Sequence, residues 1–144
     1  MQQIPIATSA ALNPDVVRFN TDGLILLGLD GVEKYIRQIR RAIEQQDFAA
    51  KQRAMDRVQQ VVQHLLVMLD ENLPVAHLQR LDSLYRYLLL KLAHVNLFSD
   101  LQGIAECKPI LSDLRLEWAA ILYPFTNDQR DRLKQVDFAQ FLLG

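Results

Sequence analysis

The chain has 144 residues, half of them hydrophobic, and its formal net charge is −1. At this length a single domain can hide ~70% of the surface that its unfolded chain exposes, so a substantial core is available. A charge so close to zero creates no field that would concentrate the protein on nucleic acid or on an anionic membrane, and neither is an expected partner. Glycine and proline are scarce, with five of each, and this composition favours an all-α fold.

The N-terminal residues lack the features of a targeting segment. Residues 1 to 14 have no basic start followed by a long apolar run, as a secretory signal needs. No segment approaches the ~20 apolar residues of a membrane span, so we expect a cytoplasmic protein. The single cysteine, Cys107, cannot form an internal disulfide and is expected to be a small buried side chain.

The first half of the chain predicts an arm and two helices. Residues 1 to 20 contain isolated apolar side chains without a sustained helical period, which predicts an extended N-terminal arm. From Thr21 onward, apolar residues fall on one broad helical face and predict a first helix over residues 21 to 46. Asp47 is a suitable N-cap for a second helix over residues 48 to 71, whose apolar positions repeat at three and four.

The second half predicts two more helices and a tail. Pro74, placed in the first turn, predicts a third helix over residues 75 to 96 with the most regular apolar stripe of the chain. A fourth helix is predicted over residues 100 to 122, with Ser99 as its cap. Pro109 lies inside it, and because an interior proline costs ~3 kcal/mol, we expect a kink or a break there. In the tail, residues 123 to 144, Thr126 and Gln129 have capping-box spacing before a short amphipathic helix.

Four helices of about 20 residues joined by short loops are most simply packed as antiparallel neighbours. The sequence therefore predicts an up-and-down four-helix bundle over residues 21 to 122, with an N-terminal arm and a short C-terminal helix. Val61, Leu88 and Trp118 are predicted to share its core.

The sequence contains no pattern typical of catalysis or of metal binding. His64, His77 and His94 are too far apart to place two metal ligands on one helical face, and we expect no metal or other cofactor. Glu106 and Glu117 are interpreted as solvated carboxylates rather than as an acid and a base. We therefore expect a protein that is not an enzyme.

The charged residues of the first helix need no ligand to explain them. Glu33 with Arg37, and Arg40 with Glu44, have the i, i+4 spacing of weak surface pairs. Arg41 is interpreted in the same way, as part of a solvated face. On this interpretation the arginines of helix one form no binding site.

Two features of the sequence favour a protein that binds another protein. Leu24 to Leu27 and Leu88 to Leu90 exceed the width of one apolar stripe, so some of these leucines must be exposed or covered by an extra segment. Gly23, Gly28 and Gly31 each cost helix one ~1 kcal/mol relative to alanine and allow another backbone to approach. The approaching backbone can be a client helix or a neighbouring helix of the bundle itself.

Four sequence blocks, in order, resemble those of the FliS family of flagellar export chaperones. Residues 21 to 31 resemble its polar turn, apolar run and Asp-Gly step, and residues 42 to 51 resemble its Ala-Ile-Glu step, turn and following lysine. Residues 84 to 87, Leu-Tyr-Arg-Tyr, are similar to its third block, with Asn96 and Asp100 further on. Leu114, Arg115 and Trp118 are similar to the fourth. The resemblance spans about residues 20 to 122.

The resemblance implies a helical bundle that holds the C-terminal segment of flagellin in the cytosol and prevents premature polymerisation. It also implies that the N-terminal arm folds back over the client groove when no client is present. Other flagellar export components are further candidate partners, and the sequence leaves a homo-oligomer open. Our candidate partner-binding residues come from the arm and from helices one and three: Val17, Phe19, Leu26, Leu29, Asp30, Tyr85, Tyr87 and Asn96.

Two other functions are compatible with a helical bundle. One is a generic adaptor or regulator with a different protein client. The other is a histidine phosphotransfer domain, since His94 lies in mid-bundle. Leu97 and Phe98 follow this histidine where such domains usually carry lysine and glycine, and they would neither attract nor admit a phosphoryl group.

Overall fold

The computed structural model describes residues 14–123, with side chains from Asp22 onward. Every regular element in this part of the chain is an α-helix, and there are four: α1 (Pro14–Glu44), α2 (Phe48–Val67), α3 (Val75–Phe98) and α4 (Leu101–Leu122). The predicted all-α four-helix bundle is confirmed. The remaining arm residues, 1–13, and residues 124–144 with the predicted C-terminal helix, lie outside the described residues.

Each helix contributes one stripe of core residues at alternating steps of three and four. This period places the side chains on one face, as in other helical bundles. The residues at these steps are all buried. They are Ile25, Leu29, Val32, Ile36 and Ile39 in α1, Lys51, Met55, Val58, Val62 and Leu65 in α2, Leu81, Tyr85, Leu88, Leu92 and Val95 in α3, and Ile104, Cys107, Leu111, Leu114 and Trp118 in α4.

The helices pack as a ring in which α1 contacts α2 and α4, and α3 contacts the same two helices. Contacts between opposite helix ends show the antiparallel arrangement. Lys51 near the start of α2 bonds to the end of α3, and His77 near the start of α3 bonds to Glu117 near the end of α4. The up-and-down order follows from these contacts.

The first helix begins earlier than the sequence pattern predicts. The prediction of an extended arm up to residue 20 is wrong for residues 14 to 20, because α1 begins at Pro14. Proline is well suited to the first helical turn, where its fixed φ is helical and its missing N–H would have no partner. The polar residues from Asn20 to Asp22, at the predicted start of the first helix, lie inside α1.

The turns at one end of the bundle are closed by specific backbone geometry. Gln46 has a positive φ of 56°, and the amide of Asp47 donates to the Ala42 carbonyl at 2.8 Å, which is a Schellman ending for α1. Asp47 then caps α2 by accepting from the Ala50 amide, as predicted. Ser99, predicted to cap α4, instead ends α3 with a φ of 48°, and Asp100 is the cap.

Pro109 does not break the fourth helix, which runs without interruption from Leu101 to Leu122. The carbonyl of Ala105 loses the amide partner that a residue other than proline would supply. Both Ala105 and Pro109 lie on the exposed side of α4, where water can bind that carbonyl. Solvent exposure therefore limits the cost of the proline.

Leu88 and Trp118 are buried in the core as predicted, and Cys107 is buried as well. Val61 is only half-buried and packs against the edge of the core. Within residues 14–123, no helix combines the length and the apolar character that crossing a bilayer requires.

Candidate partner-binding surface

Two of the residues predicted to bind a partner lie in the core instead. Leu29 and Tyr85 are both 0% exposed, because each occupies a central position in the inward stripe of its helix. The Tyr85 hydroxyl accepts a hydrogen bond from Trp118 Nε1 at 2.8 Å. Burial thus removes both side chains from the surface of the bundle, and Tyr85 joins α3 to α4.

The other candidates lie on separate parts of the bundle. Asp30 accepts a hydrogen bond from Arg115 of α4, and Leu26 lies one turn earlier on the same side of α1. Tyr87 is exposed on α3, which does not contact α1. Asn96 lies in the last turn of α3. The side chains of Val17 and Phe19 lie outside what the structure describes. Among the candidates whose side chains the structure describes, Leu26 and Asp30 are neighbours, and Tyr87 and Asn96 lie on another helix.

An exposed apolar stripe on α1 is formed by Leu24, Leu27 and Gly31, which we call the α1 stripe. Leu24 and Leu27 are 57% and 65% exposed, so the predicted surplus of leucines does reach the surface. Their spacing of three and four residues continues through Lys34, Gln38 and Arg41, which line a groove against α2. The α1 stripe therefore lies on the α2 side of α1.

The glycines of α1 have two different environments. A Cβ added to Gly28 would lie 2.9 Å from a terminal carbon of Leu65, so this glycine allows α2 to approach α1. A Cβ at Gly23 or at Gly31 would meet nothing within 4 Å. Packing within the bundle explains Gly28, whereas the other two leave open space beside the exposed leucines.

The groove between α1 and α2 is strongly basic. Lys34 and Arg41 of α1 face Arg53 and Arg57 of α2 across a volume of ≈ 450 Å³. We call these four residues the basic cluster. Among the described residues no carboxylate lines this groove, and no member of the cluster forms an ion pair there. The floor consists of small side chains, including the buried Ala42 and Ala54.

The sequence interpretation of the helix-one arginines was correct only in part. The predicted pair of Glu33 with Arg37 forms at 3.6 Å, and Glu33 also accepts from Arg115 at 3.0 Å. The predicted pair of Arg40 with Glu44 is not among the ion pairs of the described residues, and Arg40 lines the groove between α1 and α4 instead. The basic cluster was missed because its cations are divided between two helices.

The α3 and α4 helices are joined by paired charges. Lys91 Nζ donates to Glu106 at 2.6 Å, and Glu117 accepts from His77 Nδ1 at 2.5 Å. Arg80 also contacts Glu117, at 3.3 Å. Both carboxylates are therefore paired with cationic or imidazole groups, and Glu117 is largely shielded from solvent, whereas Glu106 stays partly exposed. Hydrogen bonding to the Lys91 ammonium lowers the pKa of Glu106, and the same bond raises the pKa of Lys91.

Burial is the main cause of the pKa shifts of two other groups, Tyr85 and Cys107. It raises the pKa of Tyr85 to about 12, against the smaller lowering effect of the bond from Trp118. It also raises the pKa of Cys107 to about 11, so this thiol is a poor nucleophile near neutral pH. Neither group lies in an exposed cleft where it could meet a substrate.

His94 lies one turn before the end of α3 and contacts Phe98 and Asp100. Its Nδ1 lies 3.5 Å from a carboxylate oxygen of Asp100, and its ring lies against Phe98 with 4.8 Å between centroids. Among residues 14–123, no group of three or more potential metal ligands comes together.

Comparison with known proteins identifies the family. The family model described as flagellar protein FliS matches residues 6–124, most of the chain. The chain belongs to the FliS family. It is also 26% identical over 109 residues to the flagellar secretion chaperone FliS of Bacillus subtilis (strain 168), covering 76% of this chain and 78% of that protein.

The residues that carry the FliS resemblance mostly stabilise the bundle. Tyr85 and Trp118 bond to each other in the core, and Asp100 caps α4 by accepting from the Gln102 amide. Lys51 Nζ donates to the Asn96 carbonyl at 3.0 Å. These FliS-like positions are thus explained by the fold, whereas the side chains of Leu24, Leu27 and the basic cluster are exposed.

Proposed function

We propose that this chain is a flagellar secretion chaperone that binds the C-terminal segment of flagellin in the cytosol and prevents its premature polymerisation. Membership of the FliS family and the similarity to the flagellar secretion chaperone of Bacillus subtilis support the chaperone role. The observation that carries the binding surface is the α1 stripe, with its exposed leucines and open glycine.

The client segment lies along α1 by helix-in-groove contacts. Leu24 and Leu27 supply the apolar contact area, and the open space at Gly31 lets the client backbone approach. A segment that is weakly structured when free folds on this surface, because the apolar contacts compensate for the ordering of its backbone.

Isothermal titration calorimetry with a flagellin C-terminal peptide from the same organism tests the proposal. We expect binding with a negative heat-capacity change, the mark of apolar burial. Leu27→Asp should weaken it by at least about tenfold, because a carboxylate would be desolvated at the centre of the contact. Leu29→Asp is unsuitable, since it would place the carboxylate in the core and unfold the bundle.

Leu90→Asp is the matched control. Leu90 is 69% exposed on α3, close to the 65% of Leu27, and α3 does not contact α1. Circular dichroism first establishes that both variants fold. No binding of the peptide to the folded wild type would refute the flagellin assignment. A loss with Leu90→Asp, with Leu27→Asp unaffected, would move the site to α3.

We further propose that the residues preceding α1 compete with the client for this surface. Residues 1–13 carry apolar side chains, among them Ile4 and Ile6, and no charged side chain. Deleting them should raise the binding of an apolar dye and tighten the flagellin peptide, because binding then displaces nothing. A lower melting temperature with unchanged peptide affinity would instead assign this segment to stability alone.

A further inference from the structure

Among the described residues, no ion pair and no side-chain hydrogen bond includes a member of the basic cluster. Lys34 Nζ lies 5.1 Å from the centre of the Tyr35 ring on its own helix. Lys34, Arg41, Arg53 and Arg57 are all exposed, and they carry like charges toward each other across the groove between α1 and α2. Like charges at such positions disfavour the packed state. The chain as a whole carries 16 basic and 17 acidic residues, so this local excess is not a consequence of composition.

The groove continues the surface of the α1 stripe. Leu24, Leu27, Gly31, Lys34, Gln38 and Arg41 follow one another at alternating steps of three and four along a single side of α1. Leu27 and Arg41 are 14 residues apart, which is about 21 Å along a helix. A partner segment lying on this side of α1 therefore meets apolar contacts at one end and four cations at the other.

We propose that the basic cluster docks an acidic segment of a protein partner, whose carboxylates lie about two to four helical turns from the apolar residues that contact the α1 stripe. The proposal rests on the proposed function only in taking the α1 stripe as a protein-binding surface. Arginine favours such a role, because its planar guanidinium binds a carboxylate through two parallel hydrogen bonds. The small floor at Ala42 and Ala54 leaves room for these contacts.

The undescribed ends of this chain do not have the charge to fill the groove. Residues 1–13 contain no acidic side chain. Residues 124–144 contain Asp128, Asp131 and Asp137, but Arg130, Arg132 and Lys134 balance them. Charge complementarity therefore assigns the site to a segment from another molecule.

Two designed peptides of 21 residues test the proposal. The first has leucines at steps of three and four in one half and four glutamates on the same face of the other half, and the second replaces the glutamates by glutamines. Fluorescence anisotropy at low salt should show the acidic peptide binding about tenfold more tightly. This difference should shrink as sodium chloride is raised, because exposed charges are screened.

Two neighbouring arginines provide matched variants. Arg41→Gln and Arg40→Gln remove the same charge from the same helix, but Arg41 lines the α1/α2 groove while Arg40 lines the groove between α1 and α4. Arg41→Gln should weaken the acidic peptide about threefold, a typical effect for one exposed pair, and leave the glutamine peptide unchanged. Arg40→Gln should affect neither peptide.

Three results would overturn the proposal: equal binding of the two peptides, equal effects of Arg40→Gln and Arg41→Gln, or displacement of the acidic peptide by a 20-nucleotide single-stranded RNA at lower concentration than by its own unlabelled form. The last result would make the groove a nucleic-acid site. Binding of the acidic peptide with no binding of the flagellin peptide would refute flagellin as client and leave the basic cluster as proposed.

Discussion

The two halves of the bundle are held together by different interactions. Polar contacts join α3 to α4, among them Lys91 to Glu106 and Trp118 to Tyr85, whereas no side-chain hydrogen bond or ion pair joins α1 to α2 within the described residues. The α1/α2 half relies on apolar packing, with Gly28 allowing close approach. Polar groups of the α3/α4 half are thus paired between helices, whereas the cations of the α1/α2 groove form no ion pair within the described residues.

The largest expected change in stability comes from truncating a core leucine. Leu88→Ala should lower the free energy of unfolding by ~2–5 kcal/mol, because Leu88 is fully buried and its truncation leaves a cavity. Leu27→Ala, on the exposed α1 stripe, should change it by less than about 0.5 kcal/mol. Urea denaturation measures both. Similar losses would mean that the α1 stripe is part of the core.

The next largest change in stability is expected from removing a polar contact between α3 and α4. Tyr85→Phe leaves Trp118 Nε1 without its acceptor in the core, at a cost of ~1–3 kcal/mol. The pKa of Tyr85 is raised to about 12 from 10.0, so its protonated form stabilises the fold below pH 10, and this stabilisation is lost as the pH rises toward 12.

The difference in stability between wild type and Tyr85→Phe should therefore shrink above pH 10. Thermal melts at pH 7, 9 and 11 measure it. An unchanged difference at pH 11 would contradict the assignment of the shift to Tyr85.

A smaller effect of opposite sign is expected in the α1/α2 half. Gly31→Ala should stabilise the bundle by up to ~1 kcal/mol, because alanine is the better helix former and its Cβ meets nothing within 4 Å. Gly28→Ala should stabilise the bundle less or not at all, because the Leu65 side chain must move away from the added Cβ. If the client backbone contacts α1 at Gly31, the Gly31→Ala variant will be more stable than wild type but will bind the flagellin peptide more weakly. Equal affinity would leave Gly31 outside the contact.

The smallest effect concerns the exposed pair of Lys91 and Glu106. The lowered pKa of Glu106 means that its stabilising effect is present above its usual value of 4.5 and is lost as the pH falls through the folded value. The raised pKa of Lys91 means that its effect is present below 10.5 and is lost as the pH rises beyond it. Glu106→Gln should therefore lower the melting temperature slightly at pH 7, less so at pH 3. An equal reduction at both pH values would exclude the ion pair as the cause.

The sequence predicted the helices better than the surface. Core positions repeat with a helical period, so Leu88 and Trp118 could be placed in the core from spacing alone. The start of α1 was missed because residues 14 to 20 lack a regular apolar stripe, and Pro14 was not interpreted as a first helical residue. The family resemblance identified Tyr85, yet burial determines that it bonds to Trp118 rather than to a partner.

The surface was harder to predict because it depends on which helices are neighbours. Arg41 and Arg53 belong to different helices, and only their packing brings them to one groove. A signal was present in the steps of three and four that connect Leu24 and Leu27 to Lys34 and Arg41. This series runs parallel to the core stripe, but the leucines were interpreted as a binding feature and Arg41 as part of a solvated face, so the two were not connected.

Lys51 has a consequence for the order in which the bundle assembles. Its ammonium is buried and donates to the Asn96 carbonyl and to Ser99 Oγ, both at 3.0 Å, more than forty residues away along the chain. The α1–α2 and α3–α4 hairpins can each form from local contacts, but this ammonium finds its acceptors only after the two hairpins have docked. During synthesis on the ribosome, a nascent α1–α2 hairpin must therefore keep Lys51 in water until α3 has emerged, which makes docking of the second hairpin the step that completes the fold.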